Sequence, residues 1–128
     1  MFGMSLDEVR PGFARIAMAT NRLTGGQGAS AAAGGIGGSV QGGLLAFLAD
    51  TVVVEAVFAM LEPGDQPAGT ADLNLTYLRP ALGELVVAEA SVLRKGRQIV
   101  VAEAEIRDAQ GRLCAKGRAL YALRARPD

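Results

Sequence analysis

The spacing of apolar residues changes period once along the chain. Between Gln41 and Leu61 they crowd at helical spacing, in the run QGGLLAFLADTVVVEAVFAML, and Glu62-Pro63-Gly64-Asp65 closes it with a stop-and-turn signal. Beyond that turn the period is two. In Thr70–Leu78, the side chains of Ala71, Leu73, Leu75 and Tyr77 fall on one face of a strand and those of Thr70, Asp72, Asn74 and Thr76 on the other. Further strands follow at Leu85–Leu93, Ile99–Arg107 and Leu113–Leu123, joined by the hairpin signal Arg94-Lys95-Gly96-Arg97 and the turn Asp108-Ala109-Gln110-Gly111. Ahead of the helix, Phe13–Thr20 alternates well enough for a first strand, residues 1–12 form an N-terminal segment, and Asn21–Val40, rich in Gly, Ala and Ser, reads as a loop. Residues 124–128 are expected to be a frayed tail. Short connections make neighbouring strands antiparallel. The expected fold is α+β and a single domain, with one long helix whose nearly all-apolar surface is wrapped by a curved sheet or packed on a second helix.

One polar residue interrupts that helix where the pattern calls for another Leu or Val. Leu48, Thr51, Glu55, Ala59 and Glu62 form a stripe at three- and four-residue spacing, so Glu55 reads as solvated on an outer face. Asp50 is off the stripe, and its neighbours one turn away are Ala46, Phe47, Val53 and Val54. A carboxylate among them needs hydrogen bonds or a functional reason. Spacing alone fits equally well a partly exposed Asp at a helix edge beside Thr51. Gly42 and Gly43 fall in the first turn, where backbone N–H groups lack helical partners and carry the positive end of the dipole. They could polarise a ligand carbonyl, or simply open a helix after a loop. Gly42 and Asp50 are eight residues apart, about 12 Å at the helical rise, too far to meet one small reacting group. Two copies of the helix running antiparallel across a twofold axis would bring Gly42 of one chain to Asp50 of the other, so a shared function requires at least a homodimer.

Composition narrows the chemistry. Half of the 128 residues are hydrophobic, enough for one real core. There is no histidine, which removes Ser-His-Asp and Cys-His catalysis and most zinc sites, so no metal is expected. A hydrolytic enzyme built from this chain would use a carboxylate near neutral pH. Basic and acidic residues balance at 13 each, giving no signature of a nucleic-acid binder, although nine of the bases against four acids lie from Arg94 onward and could attract an anion there. The single cysteine, Cys114, cannot form an intrachain disulfide and points to a reducing compartment, the cytoplasm. Sharing a strand face with Arg112 and Lys116, it reads as an ordinary strand thiol. The segment MFGMSLDEVR lacks the apolar stretch of a signal peptide, and Asp50 and Glu55 argue against the helix as a membrane span, at roughly 2.5–3.5 kcal/mol for each acid at mid-bilayer. Gly26-x-Gly28-x-x-Ala31 fits a loose dinucleotide pattern, but no long helix begins there and no parallel strand follows.

With these residues in view, the chain resembles the hotdog-fold acyl-CoA thioesterases of the phenylacetate-degradation and 4-hydroxybenzoyl-CoA type. VQGGLLAFLADTV resembles that family's (His)-Gly-Gly-x-x-x-x-x-x-Asp segment, TADLNLTYLRP its next strand, and VLRKGR and AKGRA its later hairpin and final strand. The likeness runs from about Phe13 to Leu123, and it implies hydrolysis of an acyl- or aryl-CoA thioester. Asp50 matches the catalytic carboxylate, as nucleophile or general base, Gly42 the backbone N–H that polarises the thioester carbonyl, and Thr70 a residue that helps place the water. Gln41 stands where the family usually has His and can still donate a hydrogen bond. Gly35 stands where an Asn is common and offers no side chain. Arg94, Lys95, Arg97 and Arg118 match the basic region that commonly meets the phosphates of coenzyme A, although solvated strand ends would look the same. The resemblance further implies no cofactor beyond coenzyme A as part of the substrate, and a dimer of dimers. Two rivals stand beside it: a hotdog hydratase, disfavoured by the missing histidine, and a non-catalytic protein that binds acyl-CoA or a small apolar ligand.

Overall fold

The structure is a computed structural model that describes residues 4–20 and 40–124. The Gly/Ala loop at 21–39, with its Gly26–Ala31 pattern and Gly35, and residues 125–128 of the expected tail lie outside the described residues. The elements are β1 (Met4–Arg10), β2 (Phe13–Ala19), α1 (Gly42–Phe58), β3 (Gln66–Tyr77), β4 (Leu85–Lys95), β5 (Ile99–Asp108) and β6 (Leu113–Arg124). The strands form one sheet in the order β1-β2-β4-β5-β6-β3, antiparallel throughout. Strand β3 follows the helix yet pairs with β6, so it is one edge of the sheet and β1 is the other.

The sheet wraps the helix because of what each presents. Leu45, Leu48, Ala49, Val52, Val53, Ala56 and Val57 of α1 are buried. They meet a sheet face of small and medium side chains, among them Ile16, Met18, Val86, Ala88, Ala90, Val100, Ala102, Ala104 and Ile106. The alanines of β4 and β5 let the helix lie close, and each fully buried Val or Leu contributes roughly 1.5–3 kcal/mol. No helix among the described residues is long and apolar enough to cross a membrane.

Five sequence expectations change. The N-terminal segment holds a strand: Pro11-Gly12, with Gly12 at φ 78°, turns β1 back onto β2. The Gly12 N–H donates to the Ala56 carbonyl at 3.2 Å and the Gly12 carbonyl accepts from Val92 N–H at 2.8 Å, so the hairpin is tied to helix and sheet. The helix ends at Phe58 rather than Leu61, because the N–H groups of Met60 and Leu61 bond only three residues back, to Val57 and Phe58, as the last turn tightens. Leu48 is fully buried and does not belong with Thr51 and Glu55 on an outer stripe. Cys114 is also fully buried: a register shift between β5 and β6 at Ile106/Arg107 turns it inward, away from the face of Lys116. Burial pushes its thiol up from the ordinary range and the charge of Asp108 adds to this, which suits an inert thiol. Arg124 closes β6 instead of fraying.

The turn after β5 is held by Asp108, whose carboxylate is buried. It accepts the backbone N–H groups of Gln110 and Arg112, and the Arg112 guanidinium pairs with it at 2.7 Å. Burial pushes this carboxyl up, but the hydrogen bonds and the Arg112 charge together hold it below its usual value.

Candidate functional site

The register of β3 decides which residues meet Asp50. A strict alternation puts Thr70 on the opposite face from Leu73. A bulge at Ala71 breaks it: Thr70 pairs with Tyr121 and Asp72 with Leu120, so Thr70 shares the helix-facing side with Leu73, Leu75 and Tyr77. Just before it, a second irregularity sits at Gly69, whose φ of 115° is open to glycine. The Thr70 hydroxyl then donates to Asp50 Oδ1 at 2.7 Å. Asp50 is partly buried, and the hydrogen bond answers the question its apolar helical neighbours pose.

Asp50 faces a shallow depression of about 560 Å³ lined by Gly43, Ala46, Phe47 and Asp50 of α1 and by Thr70, Ala71, Asp72 and Leu73 of β3. On the helix these are positions three, four and seven apart, one exposed stripe running from the first turn to the carboxylate. Beneath it Tyr121 is buried, with its ring edge-on to Phe58 at 6.1 Å between centroids. Burial pushes the Tyr121 hydroxyl up from its ordinary range; a hydrogen bond with the Gly69 backbone pulls against this, and the Asp50 charge adds to it.

Gln41 and Gly42 stand at the other end of the stripe. Gln41 is the N-cap, exposed and without a side-chain capping bond, and its Oε1 lies 3.7 Å from where a Gly43 Cβ would sit. Its carbonyl accepts Leu44 N–H at 3.0 Å and Leu45 N–H at 3.3 Å. The N–H groups of Gly42 and Gly43 have no partner among the described residues. Within one chain, then, Asp50 and Thr70 are brought together while Gly42 and Gln41 remain about two helical turns away.

The four basic residues separate into different environments. Arg94, Lys95 and Arg97, with Asp65 and Gly96, line a cavity of about 500 Å³ at the β4–β5 hairpin. Lys95 is committed there: its Nζ pairs with Asp65 at 2.9 Å and Glu62 at 3.7 Å. A shift at Val92/Arg94 points Arg94 to the sheet's outer face, across from Val101. Arg118 is not in this group. It lies on the outer face opposite Glu103 and Asn74, four residues along β6 from the partner of Ile99, or about 13 Å.

Sequence reasoning passed over Tyr77. Its hydroxyl donates to the Gly42 carbonyl at 2.6 Å, and its ring lies against Gly42. The available signal was its inward phase on the strand that follows the glycine pair.

A family model described as "Thioesterase superfamily" matches residues 37–115, which hold the helix, β3 to β5 and the start of β6. The medium/long-chain acyl-CoA thioesterase YigI of Escherichia coli is 40% identical over 53 residues, 41% of this chain and 34% of that protein. The chain spans about half the length of the curated relatives it matches, or less: 46%, 56% and 34% for three of them. A solved thioesterase of Haemophilus influenzae superposes with a TM-score of 0.80 over 97% of this chain and 80% of that one, at 23% identity, a likeness of fold. A Bacillus halodurans protein solved with CoA superposes with a TM-score of 0.73 over 86% of this chain and 66% of that one, at 25% identity. The architecture is the hotdog fold that the order of elements implied.

Proposed function

We propose that this chain, which belongs to the thioesterase superfamily, hydrolyses an acyl- or aryl-CoA thioester to the free acid and coenzyme A. The observation that carries the reading is the Thr70–Asp50 hydrogen bond on an open stripe that leads to two helix N–H groups without a partner among the described residues. In this reading the thioester carbonyl oxygen rests on the amide-rich tip of α1, where charge builds as the carbonyl carbon is attacked. Asp50 attacks that carbon or takes a proton from the attacking water, and Thr70 orients the carboxylate. The acyl-CoA thioesterase among the relatives and the CoA bound to a structural neighbour support the substrate class.

The two halves of the machinery lie at opposite ends of one stripe, so the site is completed by a second copy of the chain. Strand β3 is a sheet edge twelve residues long, and the stripe of Gly43, Ala46, Phe47 and Asp50 runs beside it. Two β3 edges meeting antiparallel about a twofold axis set each helix tip opposite the other chain's carboxylate, an isologous contact that also covers an exposed edge. Two such dimers form the tetramer of the phenylacetate-degradation and 4-hydroxybenzoyl-CoA type, the subtype we assign, with a cytoplasmic location.

Purified protein is expected to elute as a dimer or larger and to release free thiol from members of an acyl- and aryl-CoA panel. A monomer, or CoA-ester binding without thiol release, would exclude the hydrolase reading; the second result would identify a non-catalytic acyl-CoA binder. Arg94 and Arg97 are proposed to meet the coenzyme A phosphates, with Lys95 braced by Asp65 and Arg118 at a distance on the outer face. Replacing both Arg94 and Arg97 by Ala is expected to raise KM for acyl-CoA about five-fold, since exposed charge-assisted contacts contribute about 1 kcal/mol. KM for the same acyl group on N-acetylcysteamine, which has no phosphates, should stay put. Equal changes for both substrates would remove the two arginines from phosphate binding.

A further inference from the structure

The peptide joining Gly42 to Gly43 has two functional ends. Its N–H belongs to Gly43, lies in the first turn of α1 and has no acceptor among the described residues. Its carbonyl accepts the Tyr77 hydroxyl at 2.6 Å, a short bond for this class. The preceding peptide is arranged alike: its N–H is that of Gly42, and its carbonyl, on Gln41, accepts from Leu44 and Leu45. A hydrogen bond accepted at a peptide carbonyl draws charge across the amide and strengthens the N–H at the other end as a donor. Both of these helix-tip N–H groups are therefore backed by a hydrogen-bonded carbonyl. For one the backing comes from the helix alone; for the other a side chain on β3 adds to the helical bond.

Tyr77 also fixes where that peptide sits. A Cβ built on Gly42 would lie 3.2 Å from Tyr77 Cζ and 3.3 Å from Cε1, tighter than ordinary carbon contacts. The ring thus rests directly on the glycine backbone, and the hydroxyl reaches past it to the carbonyl. Tyr77 is half exposed, at 50%, and does not belong to the core that holds sheet and helix together. Its most specific contact is with the helix tip.

We propose that Tyr77 is a positioning residue for the reaction: its phenol holds and polarises the Gly42–Gly43 peptide, making the Gly43 N–H a second donor to the thioester carbonyl beside that of Gly42. The proposal rests on the hydrolase reading above. Tyr77 itself touches the peptide, not the substrate, so its removal should weaken the transition state more than the ground state.

Tyr77→Phe keeps the ring against Gly42 and removes only the hydroxyl. It is expected to lower kcat about ten-fold, less than the 10²–10³ typical of losing a direct donor, with KM for acyl-CoA held within about two-fold. In a ¹⁵N–¹H spectrum of the same variant the Gly43 amide proton should move upfield while the remote amides of Gly12 and Gly111 stay in place. A kcat equal to that of an active parent protein would overturn the proposal. So would a loss of kcat with the Gly43 amide unmoved and the thermal midpoint lowered, which is the mark of a merely structural tyrosine. A parent protein that releases thiol from no CoA ester would bring down the hydrolase reading and this proposal with it. That outcome is distinct from failure of the proposal alone, in which the parent turns over and Tyr77→Phe keeps pace.

Discussion

Asp50→Asn lowers turnover of acyl- or aryl-CoA by at least about 100-fold, the scale on which a positioned general base contributes. Asn is close in size to Asp, and its Oδ1 can still accept the Thr70 hydroxyl that Asp50 accepts at 2.7 Å. The depression lined by Gly43, Ala46, Phe47 and the β3 residues keeps its shape. What is lost is the charge and the lone pair that attacks carbon or takes a proton. The fold should survive, because Asp50 is only partly buried and its partner remains hydrogen-bonded. The informative experiment pairs initial rates with a thermal melt: a large fall in kcat with the midpoint nearly unchanged. Thr70→Val is the companion variant. It removes the hydroxyl that orients the carboxylate while keeping the β-branched shape, so its loss should be smaller than that of Asp50→Asn. Parent-like turnover by Asp50→Asn would take the carboxylate out of the mechanism, and a Thr70→Val defect larger than that of Asp50→Asn would move the chemistry to the hydroxyl.

Asp50 and the glycine pair were legible in the chain because a helix this apolar makes any acid within it conspicuous, and because first-turn glycines have a simple physical meaning. The order of a strand, the helix and four further strands was legible for the same reason: a single switch of period from 3.6 to 2 is hard to hide. The expected meander of all four holds only for β4, β5 and β6, since β3 pairs with β6 and not with β4. What escaped were breaks in periodicity. Alternation alone assigns Thr70 to the face away from Leu73, and only the bulge at Ala71 returns it to Asp50. Cys114 moved from the outer face to the core by the same device, and another before Arg94 put Arg94 on the outer face. A bulge inserts one residue, costs little and leaves no composition signal where it falls on Ala, Leu or Cys. Strand β1 escaped because it is an edge: most of its residues are exposed, so SLDEVR shows no apolar face, and its one signal was Pro11-Gly12. Leu48 escaped because a helix buried over a wide arc has no sharp outer stripe. Two of the five register shifts fall in β3 next to Thr70, and one of them re-aims that side chain toward Asp50; the other three lie in β1, at the β4–β5 hairpin end and between β5 and β6.

Gly117→Ala is expected to be the most damaging methyl added at any of the described glycines. Gly117 lies mid-strand in β6, paired with Leu75 of β3 and Ala104 of β5, on the face that meets the helix. A Cβ there would sit 2.0 Å from the Asn74 carbonyl oxygen and 2.8 Å from Leu75 Cα. Those atoms are backbone, so no rotamer change relieves the clash. Either β3 moves off β6 or β6 twists away from β5, and both break ladder hydrogen bonds. Overpacking a core typically costs about 1–3 kcal/mol, and a backbone-on-backbone clash belongs at or beyond the upper end. A thermal midpoint lower by 10 °C or so is the corresponding readout for a chain of this size. The consequences reach past stability. β3 carries Thr70 and Tyr77, which hold the carboxylate and the helix tip through their hydroxyls, and it supplies the edge through which two copies are proposed to meet. Any Gly117→Ala protein that remains folded should therefore have weakened dimers and a rate per folded molecule well below that of the parent. A variant with the parent's melting temperature would show that β3 and β6 can separate without cost. One that melts early but keeps its full rate per folded molecule would show that the strand's placement is not what aligns Thr70 with Asp50.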